Sequence, residues 1–313
     1  MGKKKFTGVS QFLARFRGWI QAGAALLTNL HLPNFLKGRL YQGAGKTVCV
    51  PGLNCYSCPA ASGACPIGAF QAVVGSSKFS FSYYITGILI LLGVLLGRFI
   101  CGFLCPFGWF QELLHKIPSR KLSTRKLKPL RYLKYAILLV MVFLLPAFLV
   151  NDVGMGDPFF CKYLCPQGVL EGAIPLSLAS SGIRAALGSL FTWKLGILLV
   201  VIVLSVLFYR PFCKWICPLG AFYALLNKVS LVQMKVDQSK CISCGKCAKA
   251  CKMDVDVTKS PNHTECIRCG MCVRACPTNA VRFRCGFGTG KQGTVLPEKT
   301  NKQMNDIVKE KKS

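Results

Sequence analysis

Three stretches of this chain are apolar on every face and approach the ~20 residues that a bilayer core requires. They lie at residues 81–96, 132–150 and 193–208. A fourth, at residues 19–36, is apolar but holds Asn29, His31 and Pro33. Residues 168–190 are apolar too, yet Glu171, Pro175 and Arg184 break the run, which reads as re-entrant or interfacial. The pattern predicts an all-α membrane bundle of about four transmembrane helices over residues 1–230. A Cys-rich segment follows over residues 231–287, and residues 288–313 have the polar composition of a disordered tail.

Charge gives the bundle a direction. Between Lys116 and Lys134 lie eight basic residues (Lys116, Arg120, Lys121, Arg125, Lys126, Lys128, Arg131 and Lys134) and no acid, so this loop is expected to be cytoplasmic. The same rule places Lys3, Lys4, Lys5, Arg15 and Arg17 on that side, and also the region from Arg210 onward, with its 19 further Lys or Arg. Four spans satisfy all three segments, whereas a fifth at residues 168–190 would put the basic C-terminal domain outside. The expected location is a bacterial or archaeal inner membrane, with the N-terminus and the Cys-rich domain cytoplasmic. No cleavable signal is expected, because the apolar stretch after the basic start has no small-residue cleavage site.

Composition agrees with this picture. The chain is 52% hydrophobic and only 16% charged, with a formal net charge of +29. Such a charge invites a nucleic-acid reading, which needs base-stacking aromatics among the cations. The positive-inside excess is the simpler account, and no nucleic-acid partner is expected. The 19 cysteines suit metal ligation better than a disulfide scaffold, which belongs to short secreted chains.

Many of those cysteines fall in an internal repeat. Cys101–Gly108, Cys161–Gly168 and Cys213–Gly220 all read Cys-x-x-x-Cys-Pro-x-Gly, and Cys65-Pro-Ile-Gly68 is a partial fourth copy. By the topology above, the Cys101 and Cys213 copies sit at cytoplasmic helix ends, while the Cys161 copy and the segment from Cys49 to Cys65 face outward.

The strongest signal lies at the C-terminus. Cys241-x2-Cys244-x2-Cys247-x3-Cys251 is followed by Cys266-x2-Cys269-x2-Cys272-x3-Cys276-Pro277. This is the spacing of a bacterial two-cluster [4Fe–4S] ferredoxin, an α+β domain in which the fourth Cys of each run ligates the other cluster. One cluster would use Cys241, Cys244, Cys247 and Cys276, and the second Cys266, Cys269, Cys272 and Cys251. Lys252 stands where a Pro usually follows the first run. Paired Cys-x2-Cys also suits structural zinc, but two runs of four at this spacing favour iron and sulfur.

The remaining cysteines divide by side. Cys101, Cys105, Cys213 and Cys217 form a symmetric inner set, either ligands of a third cluster or buried thiols. Outside, Cys58, Cys65, Cys161 and Cys165 are candidate ligands of a fourth cluster, with Cys49 and Cys55 as extra ligands or a redox pair. Disulfides are the competing reading there. Cys285 is left over as a structural residue. His115 could meet a quinone headgroup, and Glu112 and Glu171 could handle protons, although interfacial or solvated roles are commoner for all three. His31 has no second His for a haem, the Gly-rich stretch at residues 286–293 lacks the ending of a phosphate loop, and no dinucleotide fingerprint appears.

With paired Cys-x-x-x-Cys-Pro motifs at helix ends before a two-cluster ferredoxin, residues 80–285 resemble the membrane polyferredoxins. That family includes the NapH quinol dehydrogenase component of periplasmic nitrate reductase, the membrane part of NosR and the oxidase-assembly protein CcoG. The resemblance implies electron exchange between the quinone pool or a cytoplasmic donor and a partner across the membrane. It carries over Cys101, Cys105, Cys213, Cys217 and the eight ferredoxin cysteines. The Cys49–Cys65 segment and the Cys161/Cys165 motif depart from the best-known members.

The expected function is therefore iron–sulfur electron transfer with no catalytic site for a small substrate. Expected partners are redox proteins (a ferredoxin, flavoprotein, cytochrome or thioredoxin-like protein) and, on one reading, a quinone. Because a ~30 Å barrier is too wide for fast tunnelling, the inner and outer sites should dip toward the midplane unless a quinone bridges them. The alternative is an assembly or thiol-reducing factor that delivers electrons outward through Cys49 and Cys55.

Overall fold

The computed structural model describes residues 8–76, 82–152 and 155–286. The basic start at Lys3–Lys5, most of the Gly-rich stretch and the expected disordered tail lie outside these residues.

Among the described residues the four longest helices are α1 (Val9–Thr28), α2 (Tyr83–Leu95), α3 (Arg125–Phe148) and α4 (Ser189–Leu207). Of these, α3 and α4 are long and apolar enough to cross a membrane by length and composition. At ~1.5 Å per residue, the 13 residues of α2 reach only about 20 Å. The backbone then turns at Gly97 in the left-handed region, φ 54°, and a second short helix, Phe99–Phe103, continues the path.

The first helix differs from its expected place at residues 19–36. It starts at Val9 because its N-terminal half packs on the C-terminal domain: Ser10 Oγ accepts from Phe283 N at 3.0 Å, and Ala14 is buried. It stops at Thr28, where the Thr28 hydroxyl and the Asn29 amide turn back onto the carbonyls of Ala24 and Ala25. Arg17 is tolerated inside the helix because Glu112 and Tyr209 receive its guanidinium. The segment at residues 168–190 folds, as its polar breaks require, into two pieces, Val169–Ala179 and Ser181–Ala185.

The C-terminal domain closes on a two-stranded antiparallel sheet, β1 (Val232–Val236) with β2 (Val281–Cys285), in the register Met234↔Phe283. Two of its acidic residues, Glu265 and Asp254, are held by cations of α3 and of the surroundings of the Cys101 and Cys213 copies. Glu265 is 4% exposed and receives Lys134 Nζ at 2.6 Å and Arg98 Nη1 at 2.9 Å. Asp254 receives Arg131 at 3.0 Å and Lys214 at 3.3 Å. Part of the loop charge is therefore an interdomain lock as well as a topology signal. Buried ion pairs contribute little net stability but strongly penalise loss of one partner. They fix how the domain sits.

One hydrophobic core joins the two parts, running from Leu53 and Phe70 through Ile100 and Phe107 to Met253, Val255 and Ile267. The domain is packed into the bundle rather than tethered to it.

Candidate iron–sulfur sites

In the C-terminal domain the two runs fold back on each other. Cys241, Cys244, Cys247 and Cys276 line one small cavity. Cys251 lies within electrostatic range of Cys266, Cys269 and Cys272. This is the crossed grouping that the spacing requires. Ser243 and Arg268, each between the first two cysteines of its run, have φ near 50°, and Gly245 and Gly270 follow in the same left-handed region. Such turns aim successive N–H groups into the loop, where an anionic cluster is stabilised. Burial pushes the Cys266 thiol up to about 11, a cost that a bound cation removes by holding it as thiolate.

The second quartet is built by the repeat. Cys105 and Cys217 each precede the Pro that opens a helix, Pro106–Leu114 and Pro218–Leu226. Their sulfurs cap those helices, accepting from Gly108 N at 3.4 Å and Gly220 N at 3.3 Å. The Cys-Pro-x-Gly order thus has a local cause. Sulfur takes the N-cap, Pro suits the first turn, and a helix N-terminus favours an anionic thiolate. Cys101, Cys105, Cys213 and Cys217 lie within electrostatic range of one another and are all buried. Two buried cations flank them: Arg210 donates to Cys101 O and packs against Gly108, and Arg98 approaches Gly220.

The outer quartet repeats this plan with one change. Cys55, Cys65, Cys161 and Cys165 lie together around a cavity of about 400 Å³. Cys58, the expected fourth member, lies elsewhere, at 1% exposure with its thiol toward Asn29 Oδ1 at 3.5 Å. The loop that delivers Cys55 has no helical spacing to Cys65, so spacing does not separate Cys55 from Cys58. Cys49 lies within electrostatic range of Tyr223 and is not among the residues lining the cavity that holds Cys55. All nineteen cysteines are free thiols. Lys194 Nζ donates to Cys161 O at 3.0 Å, the role that Arg210 has on Cys101 O.

Two glutamines unnoticed in the sequence complete the symmetry. Gln111 Nε2 donates to Cys213 Sγ at 3.1 Å, and its Oε1 accepts from Phe212 N at 3.2 Å. Gln71 does the same to Cys161 Sγ at 3.2 Å and Phe160 N at 3.0 Å. Each stands six residues after a motif Cys, a spacing shared by Cys65-to-Gln71 and Cys105-to-Gln111.

The quartets are close neighbours. The segment before Cys55 penetrates the bundle until Gly52 backs onto Cys105 and Pro106, and the next residue, Leu53, lines the outer cavity. A Cβ on Gly52 would stand 2.8 Å from Cys105 Cα. Tyr223, fully buried, lies within electrostatic range of Cys101, Cys105 and Cys65, and its hydroxyl donates to Pro51 O at 3.0 Å. On the other side, a Cβ on Gly102 would stand 2.3 Å from Ile267 O, which puts the Cys266–Cys269 loop against the inner motif. Among the described residues, no three His, Cys, Asp or Glu side chains close on one point as a lone metal ion requires. Four soft thiolate sulfurs, with no hard oxygen ligand among them, are the donor set that iron–sulfur clusters use.

A sequence model described as a 4Fe–4S binding domain matches residues 63–84, 80–125, 134–174 and 190–237, one match per copy of the repeat. A second 4Fe–4S binding domain matches residues 234–255 and 260–282. The chain is 28% identical over 182 residues to the uncharacterised protein MJ0750 of Methanocaldococcus jannaschii, covering 55% of this chain and 66% of that one. It is 27% identical over 198 residues to the methylamine utilization ferredoxin-type protein MauN of Methylorubrum extorquens, covering 61% and 56%. To the ferredoxin-type protein NapH of Haemophilus influenzae it is 26% identical over 179 residues, covering 56% and 54%. The chain thus spans between half and two thirds of the length of these relatives, and 20% of the length of NosR from Stutzerimonas stutzeri. No solved structure matches. The repeat, the crossed ferredoxin runs and these similarities agree: the chain belongs to the polyferredoxin family, the ferredoxin-type proteins with 4Fe–4S binding domains that include NapH, MauN, YccM and NosR.

Proposed function

We propose that this chain is a transmembrane electron conduit whose four cysteine quartets each hold one [4Fe–4S] cluster, in the order Cys241/Cys244/Cys247/Cys276, Cys251/Cys266/Cys269/Cys272, Cys101/Cys105/Cys213/Cys217 and Cys55/Cys65/Cys161/Cys165. When bound, such clusters supply one-electron carriers whose potentials follow burial and hydrogen bonding to sulfur. The observation that carries the reading is the Gly52–Leu53 step, where Gly52 backs onto Cys105 of the inner quartet and the next residue, Leu53, lines the outer cavity.

The chain's own residues support this role in three ways. The Gly102–Ile267 approach and the Glu265 and Asp254 ion pairs hold the ferredoxin domain against the inner motif. Arg98, Arg210 and Lys194 set positive charge against the quartets. The approach of Gly52 to Cys105 and the Tyr223–Pro51 hydrogen bond bring the two membrane quartets near each other, as a barrier of ~30 Å demands. The basic residues favour the N-terminus and ferredoxin domain on the cytoplasmic side of a bacterial or archaeal membrane. A cytoplasmic redox protein or a quinone would exchange electrons at one end and a further redox protein at the other. Cys49 does not line the cavity that holds Cys55, which favours a cluster over a Cys49/Cys55 dithiol as the outward relay.

Iron counting on anaerobically purified full-length protein tests the proposal. Four cubanes imply about sixteen irons and sixteen acid-labile sulfides per chain. A reproducible eight, with all ferredoxin EPR signals present, removes both membrane clusters and the conduit with them.

A further inference from the structure

A cavity of about 200 Å³ opens between α1, the helix Pro106–Leu114 and the ferredoxin helix Met271–Ala275. Among its lining residues, Arg15, Arg17, Lys116 and Arg274 are cationic and only Glu112 is anionic. Glu112 is already engaged, since it accepts from Arg17 and Tyr209 and pairs with Arg210 at 2.8 Å. Gln21 also lines the cavity. It is 1% exposed, and neither its amide oxygen nor its amide nitrogen has a hydrogen-bond partner. A buried amide left unpaired is costly, and native structures rarely keep one without a ligand or water to satisfy it.

We infer that this cavity binds a phosphate group, and that the group is the headgroup of an anionic phospholipid. Charge decides the sign of the ligand: Lys116 and Arg274 add positive charge beyond the Arg17–Glu112–Arg210 cluster, whose single carboxylate is already engaged. Donor chemistry narrows it, because Lys and Arg forks around an amide suit several oxygens on one centre. The surroundings choose the source. Trp109 and Leu113 form an apolar wall, and Phe12 and Trp19, about one turn to either side of Arg15 on α1, are exposed. Aromatic residues beside a basic pocket at a bundle end mark the level where headgroups lie. A phosphate held there would tie α1 to the ferredoxin helix through Arg274. The inference rests on the membrane placement proposed above and is independent of how many clusters the quartets hold.

Thermal melting of delipidated full-length protein in detergent, followed by tryptophan fluorescence, provides the test. Three probes are compared: phosphatidylglycerol, phosphatidylcholine and inorganic phosphate. Phosphatidylglycerol should raise the melting temperature saturably, and the other two should do little at equal concentration. The double variant K116Q/R274Q should weaken phosphatidylglycerol about thirtyfold, from the usual contribution of two basic residues near anionic lipid. Both side chains are exposed, so unchanged iron content and lipid-free melting would show that this variant folds. Gln21→Leu keeps the volume and should weaken binding as well. An equal shift with phosphatidylcholine, or an undiminished shift in the double variant, overturns the site. A full shift with inorganic phosphate alone overturns the lipid assignment.

Discussion

Gln71 Nε2 lies 3.2 Å from Cys161 Sγ, and forty residues later Gln111 holds Cys213 in the same way at 3.1 Å. Each glutamine spends its amide N–H on a sulfur and its carbonyl on the N–H just before that sulfur. A hydrogen bond to a cluster thiolate stabilises the reduced, more negative state and raises the potential. Gln71→Leu should therefore lower the potential of the outer site alone, and Gln111→Leu that of the inner site alone. EPR-monitored redox titration separates them. Each change also strands a backbone N–H, costing about 1–3 kcal/mol, so melting should fall in both. A loss of stability with both potentials unmoved would reduce the glutamines to packing.

The ferredoxin domain should be sensitive to one methyl group. Gly102 stands between the two inner cysteines of its motif, and a Cβ there would meet Ile267 O at 2.3 Å. Backbone cannot swing aside as a side-chain tip can, so Gly102→Ala should push the Cys266–Cys269 loop away at a cost of about 1–3 kcal/mol. We expect normal ferredoxin signals but slowed reduction of the membrane sites after rapid mixing with a cytoplasmic-side reductant. Unaltered transfer would show that this contact is not the route.

Glu265 is the counter-ion of two buried cations. Burial alone would raise its carboxyl, but Arg98 and Lys134 hold it down at about 2. Glu265→Gln should cost about 3–5 kcal/mol, because it leaves both cations buried without a carboxylate. Adding Lys134→Met should recover part of that loss. Limited proteolysis of the domain junction reads both effects, and a single variant as resistant as wild type would contradict the lock.

Much of this arrangement is legible in the spacing of the cysteines. The crossed ferredoxin grouping follows from x2-x2-x3 spacing, because three cysteines on one tight turn leave the fourth to its neighbour. The inner quartet follows from four-residue spacing at helix ends. What spacing does not reveal is tertiary. The α1 start at Val9 depends on contact with Phe283, a residue more than 270 positions away. Gln71 and Gln111 look like ordinary helix residues until their partners are placed. Leu53 is one apolar residue among many, and only the path of its loop into the bundle sets the neighbouring Gly52 against Cys105.

The crossing itself is testable within the domain. Cys251 belongs by sequence to the first run but lies among Cys266, Cys269 and Cys272. Cys251→Ser should abolish or reshape the EPR signal of that second site and remove up to about four irons. The signal from Cys241, Cys244, Cys247 and Cys276 should persist, and its selective loss would refute the crossing.

The outer site offers the sharpest contrast, since two cysteines only three residues apart should behave differently. Cys55 lines the cavity with Cys65, Cys161 and Cys165, whereas Cys58 packs against Ala60 and Ala61 with its thiol toward Asn29. Cys55→Ser should lower iron by about four per chain and leave the ferredoxin signals unchanged. It should also stop electron delivery to an acceptor added on the far side of a sealed vesicle, while reduction of the ferredoxin domain continues. Cys58→Ser removes a small buried hydrophobe, so it should cost some stability but no iron. If both variants keep full iron and a thiol-trapping gel shift appears only after reduction, the outer cysteines form disulfides and the conduit ends at the inner quartet. If Cys58→Ser loses iron and Cys55→Ser does not, the loop enters the site in the other register.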